Sequence, residues 1–136
     1  MSEKHPLLYE PTTAITDYII FILGITFGWF TLSIPDSQFH QLWGTSFITI
    51  AIGGLLGGTT HGFGPKLSQV PRTIIWRATL IFVAATGLLL AMSTALVFVT
   101  EKGEDALYIT AGVLLISFYN RIRTQDNFRS VVIFYL

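Results

Sequence analysis

The chain contains no cysteine. That excludes disulfides, thiolate metal sites and a cysteine nucleophile. Charge is also scarce. Charged residues make up 12% of the 136 residues, where a soluble domain carries about 25%. A deficit of this size belongs to chains that sit in hydrocarbon, where charge is costly. Neither sign of charge dominates, since Lys+Arg and Asp+Glu both number 8. No basic stripe of the kind that meets a phosphate backbone is present, so no nucleic-acid partner is expected. There is no nucleotide-binding loop, no GxSxG elbow and no carboxylate pair in a hydrolase setting. A cleavable signal is also missing. The opening residues are polar, with Pro6, Glu10, Pro11 and Asp17, and the apolar run begins only at Tyr18. The first apolar run is therefore read as a retained helix.

What the chain has instead is apolar length. Hydrophobic residues make up 51% of it, and they gather into runs at 18–34, 42–60, 74–100 and 106–120. A helix needs about 20 apolar residues to cross a bilayer. The third run is long enough to tilt or protrude, and the fourth is short. Pro35 and Asp36 close the first run, because proline lacks the N–H that a helix needs. A loop at 62–66 closes the second, and an acidic loop at 101–105 separates the third from the fourth. Only a helix satisfies every backbone group in lipid over these lengths, and no β-barrel alternation appears. The expectation is an all-α, multi-pass membrane helix bundle, one domain over residues 1–136 with about four transmembrane helices. The tail at 121–136 closes on a mostly apolar stretch, 130–136. Two readings stay open for it. It is the truncated start of a fifth span, or a tail that packs on a partner or lies in the membrane interface.

Alternating spans put the N-terminal tail, the second loop and the C-terminal tail on one side. These hold Lys4, Lys66, Arg72, Arg77, Arg121, Arg123 and Arg129, against Lys102 alone in the other two loops. Positive residues collect on the cytoplasmic face of a membrane. The reading is an integral membrane protein with both termini cytoplasmic, in a bacterial inner membrane or its equivalent. Asp36, Glu101, Glu104 and Asp105 fall on the far side. Trp29, Phe39, His40 and Trp43 form an interfacial aromatic belt there, with no chemistry assigned.

The second run ends in the most informative stretch, 53–64, where six of twelve residues are glycine. Gly53 with Gly57, and Gly54 with Gly58, have the small-xxx-small spacing that lets helix backbones approach. The same spacing leaves room for a bulky ligand, a lipid chain or a pigment ring. His61 follows at the cytoplasmic end. A histidine at membrane depth is rarely accidental. It suits metal ligation, axial ligation of chlorophyll or haem, or a plain hydrogen bond to a neighbouring helix. Zinc ranks below pigment, since catalytic zinc needs about three protein ligands. His5 and His40 lie elsewhere in the chain. Glu10, Asp17, Arg72, Arg77 and Asn120 belong to the same end and form the expected polar support. Asp17, next to the apolar run, is read as pairing with Arg77 or orienting His61. A plain interface of salt bridges and aromatic anchors, or arginines on anionic lipid headgroups, accounts for the same residues.

Tyr9, Glu10 and Pro11, then Asp17, then the glycine-rich helix ending in Gly57, Gly58, Thr59, Thr60, His61, Gly62 and Phe63 resemble uncharacterised bacterial polytopic membrane proteins. Over about the first 65 residues the pattern is also distantly similar to the superfamily of alkaline ceramidases and adiponectin-type receptors. The resemblance implies an acidic residue before the first helix and His61 as a descendant of a metal ligand. Two features depart from it. Gly57 stands where that superfamily has serine, and a later histidine pair has no counterpart in this chain.

Three functions follow as expectations. The first is a non-catalytic accessory subunit packed among other integral membrane subunits, in contact with lipid or pigment. The second is a metal-dependent membrane lipid hydrolase or its remnant. The third is a small transporter or channel, for which the spans offer hydroxyls (Thr26, Thr49, Thr86, Ser93 and Thr94) but no midplane charge. No catalytic residue is assigned.

Overall fold

In a computed structural model the chain is helical, with no strand among the described residues, which are 7–35 and 37–135 without the side chains of 101 and 102. Lys4, His5 and Asp36, and the side chains of Glu101 and Lys102, thus lie outside the described residues.

Helix α1 is Pro11–Leu32. It starts on Pro11, whose missing N–H is harmless at a first helical position. It stops short of Pro35, as the sequence signals. Helix α2 is Gln38–Phe63, and the Ser37 hydroxyl caps it by accepting from the His40 N–H at 3.3 Å. A 3-10 turn, Gly64–Lys66, leads to α3, Gln69–Ala95. Helix α4 is Glu101–Ile122 and α5 is Phe128–Tyr135.

Three of these helices are long and apolar enough to cross a membrane: Pro11–Leu32, Gln38–Lys66 and Gln69–Ala95. Helix α4 has the length but not the composition. The expected boundary between the third and fourth runs is also shifted. Helix α3 ends at Ala95, and the predicted loop at 101–105 is the first turn of α4. The turn lies instead at 96–100, where Val97, Val99 and Thr100 are β-branched and resist a helix. Glu104 and Asp105 sit near the positive end of the α4 dipole, which favours helix there.

Helix α1 lies along α2 on a seam of small residues. A Cβ on Gly54 would stand 2.7 Å from the Asp17 carbonyl oxygen, and one on Gly24 would stand 2.8 Å from the Ala51 Cβ. Gly58 meets the Ala14 carbonyl in the same way. Gly53 is turned toward α3, against Val83 and Phe82, while Gly57 lies between Asp17 of α1 and Thr79 of α3.

Helix α3 is central. Thr49 and Thr86 share a 2.9 Å hydrogen bond across the α2–α3 contact. Thr26, Thr86 and Thr94 each bond a carbonyl one turn back, the usual fate of hydroxyls in helices. The Ser93 hydroxyl is buried with no partner among the described residues. Phe118 and Ile122 of α4 join Leu80, Ala84 and Val131 in a core around α3. Helix α5 folds back onto this core, with the Phe118 and Phe134 rings 4.8 Å apart. The Tyr135 ring lies on Gly87, and its hydroxyl donates to the Val83 carbonyl. The tail thus packs within this chain.

Candidate functional site

The N-terminus of α1, the C-terminus of α2, the N-terminus of α3 and the C-terminus of α4 meet at one end of the bundle. Residues 7–10 lie across the end of α2. The Tyr9 N–H donates to the Gly62 carbonyl at 3.1 Å, and the Glu10 N–H to the His61 carbonyl at 3.3 Å. Lys66 ties the strap down by donating from Nζ to the Leu7 carbonyl at 3.0 Å. Glu10 Oε2 then stands 2.7 Å from His61 Nδ1. The pair is partly wet, with side-chain exposures of 61% for Glu10 and 29% for His61.

His61 stands edge-on to Trp76, ring centroids 6.0 Å apart at 90°. These two residues line two cavities. The larger, about 510 Å³, opens at the end of the bundle and is also lined by Glu10, Arg72, Thr73 and Asp126. The smaller, about 130 Å³, lies deeper, and Asp17, Gly57 and Thr79 line it. Asp17 Oδ2 occupies the space over Gly57, 3.0 Å from where a Cβ would be. A serine at 57 would compete with that carboxylate for the same space.

The predicted polar residues divide. Glu10 and Arg72 share the larger cavity with His61, and Asp17 shares the smaller one. The expected Asp17–Arg77 pair does not form. Arg77 Nε donates to Asp126 Oδ2 at 3.1 Å, and its terminal nitrogen donates to the Arg123 carbonyl at 3.1 Å. One position past Trp76 on a helix turns a side chain through about 100°, so Arg77 faces the α4–α5 connection. Asn120 does not join the cluster either. Phe118 and Ile122 turn inward at i and i+4, which leaves Asn120 exposed between them. His40 is at the other end of α2, with its Nδ1 buried and unpartnered among the described residues.

Asp126 is the site residue that sequence reading missed. Its carbonyl accepts from Trp76 Nε1 at 2.6 Å while its carboxylate holds Arg77. It lies in a polar stretch with no periodic pattern, so only the return of α5 onto α3 brings it here. Among the described residues no three His, Asp or Glu side chains are placed to share a metal ion.

The fold and site together define a helical bundle with candidate membrane spans and one open polar cavity at the end of α2 and α3. The chain belongs to a family of unknown function (DUF6962), whose model matches residues 12–136. No curated protein and no solved structure matches it.

Proposed function

We propose that the chain is a non-catalytic membrane subunit that crosses the bilayer four times and packs within a larger membrane assembly. The observation that carries this reading is the apolar surface left uncovered on both flanks of the bundle. On α1, Trp29 and Phe30 are 72% and 67% exposed, and the buried residues are Ala14, Gly24 and Gly28 alone. Beyond α3, an apolar groove of about 300 Å³ separates α3 from α4, and a side chain at Gly112 would meet nothing there within 4 Å. Apolar area of this size is favourable to cover. Neighbouring subunits and lipid acyl chains are the proposed cover. The basic residues at the Glu10–His61 end support a cytoplasmic placement of both termini.

The test is gentle native purification, with mass spectrometry, an absorption spectrum and metal analysis on one fraction. Co-purification with other integral membrane subunits is the expected result, and pigment in that fraction makes His61 the residue to examine as its ligand. A lone chain without partners overturns the assembly.

A second reading has its own support. His61, Glu10 and Asp17 line two cavities that share His61 and Trp76, and an acidic residue before α1 with a histidine ending α2 is part of what resemblance to alkaline ceramidases and adiponectin-type receptors would ask for. It predicts stoichiometric zinc that is lost in His61→Ala, in a metal-dependent lipid hydrolase or its remnant. Zinc-free protein rules it out.

A further inference from the structure

We propose that the open cavity beside His61 binds the phosphate group of a glycerophospholipid headgroup, with Arg72 as its principal contact. This rests on α2 and α3 crossing a membrane, and not on any partner subunit.

The cavity is lined by two carboxylates and one guanidinium. Each carboxylate already has a cationic or imidazole partner: Glu10 has His61, and Asp126 has Arg77. Arg72 makes no hydrogen bond or ion pair with its side chain among the described residues. Arg72 is thus the guanidinium in the cavity without a partner among the described residues, and its complement is an anion. Guanidinium is the side chain best suited to phosphate, because its planar fork donates two parallel hydrogen bonds.

Gln69, Arg72, Thr73 and Trp76 all line the cavity. Their spacing, i, i+3, i+4 and i+7, is one stripe of α3. The stripe presents an amide, a guanidinium and a hydroxyl to the cavity. Trp76 has spent its N–H on the Asp126 carbonyl, so it offers ring surface only. The facing wall is the Glu10–His61 pair, which accepts from an amine or hydroxyl substituent beyond the phosphate.

His61 lies two positions before the end of α2, and Arg72 is in the first turn of α3. Both belong to the boundary of any bilayer these helices cross. At that depth the abundant anion is lipid phosphate, and Arg and Trp are the residues found there.

The probe is short-chain phosphatidylglycerol, titrated onto the detergent-solubilised full chain. Trp29→Phe and Trp43→Phe remove the other two indoles of the three present, so fluorescence reports on Trp76. A saturable change is expected. Arg72→Gln should weaken the affinity about tenfold or more, the range for a charge-assisted hydrogen bond. Arg72→Lys should fall between Arg72→Gln and the unchanged chain, because an ammonium keeps the charge and loses the fork, and Arg129→Gln, at an exposed residue outside the cavity, should change nothing. Thr73→Phe, which narrows the cavity and leaves its charges alone, should also weaken binding. Arg72→Lys, which keeps the cation, guards against misfolding of Arg72→Gln. Equal binding of short-chain diacylglycerol, or no effect of Arg72→Gln, overturns the proposal. Glycerol phosphate saturating the same signal at the same concentration overturns the lipid source and makes the ligand a soluble phosphate ester.

Discussion

Glu10 and His61, 51 positions apart, are joined twice: carboxylate to imidazole at 2.7 Å, and N–H to carbonyl at 3.3 Å. The double contact makes residues 7–10 part of the site. It fixes the wall of the open cavity that the residues before α1 supply.

Glu10→Gln should nevertheless cost less than about 1 kcal/mol of global stability, because exposed ion pairs are screened by water. The effect should be local. Hydrogen exchange at the Tyr9 and Glu10 amides should accelerate while α2 and α3 keep their protection. A fall in the unfolding midpoint as large as that of a core substitution would refute the exposed setting of the pair.

The glycines of α2 should separate by neighbour. Gly54→Ala puts a methyl 2.7 Å from a backbone oxygen of α1, and backbone yields poorly. A loss of about 1–3 kcal/mol is expected, as for other overpacking. At Gly53 the nearest atom is the Val83 Cγ2, 3.4 Å away. Helix propensity, worth about 1 kcal/mol for Ala over Gly, should then make Gly53→Ala neutral or stabilising. Gly112→Ala should behave likewise. Unfolding by SDS titration in mixed micelles would rank the three, and equal effects at 53 and 54 would disprove the seam.

Docking of α5 depends on contacts that two conservative changes remove. Trp76→Phe deletes the hydrogen bond to the Asp126 carbonyl, worth about 1 kcal/mol. Gly87→Ala pushes against the Tyr135 ring. Each should raise proteolysis within 124–135 and leave the α1–α2 pair protected. Unchanged cleavage in both variants would mean that α5 is held by something else.

The absence of cysteine gives a clean background for topology. Ser68→Cys and Asp105→Cys introduce single thiols at exposed positions near opposite ends of α3. In intact vesicles a membrane-impermeant maleimide should label the two from opposite sides, with position 68 cytoplasmic. Labelling of both from one side would exclude a crossing by α3 between them.

The helices and their class were legible in the sequence, for local reasons. Apolar length, Pro35 and the 62–66 glycines act on their own neighbourhood, and α1 and α2 follow them within a few residues at most boundaries. The end of α3 was harder to see. No proline or glycine marks 96–100, and a run of β-branched residues looks as apolar as a span. The site was legible in part. His61, Glu10, Asp17 and Arg72 stand out as polar groups beside apolar runs, and they do gather at one end.

By itself, the sequence determined that the chain is a set of long apolar helices whose ionisable groups collect at their ends, because burial of charge in hydrocarbon is penalised wherever it occurs. Only the tertiary structure decided which groups pair. Each residue along a helix turns by about 100°, so a difference of one position puts the Trp76 ring against His61 while Arg77 meets the Asp126 carboxylate and the Arg123 carbonyl. The same rotation sends Gly54 and Gly58 to α1 and Gly53 to α3, sets Gly57 between Asp17 and Thr79, and leaves Asn120 outside. Partner choice is a matter of helix rotation and register, which are set when whole faces pack and not by any one residue.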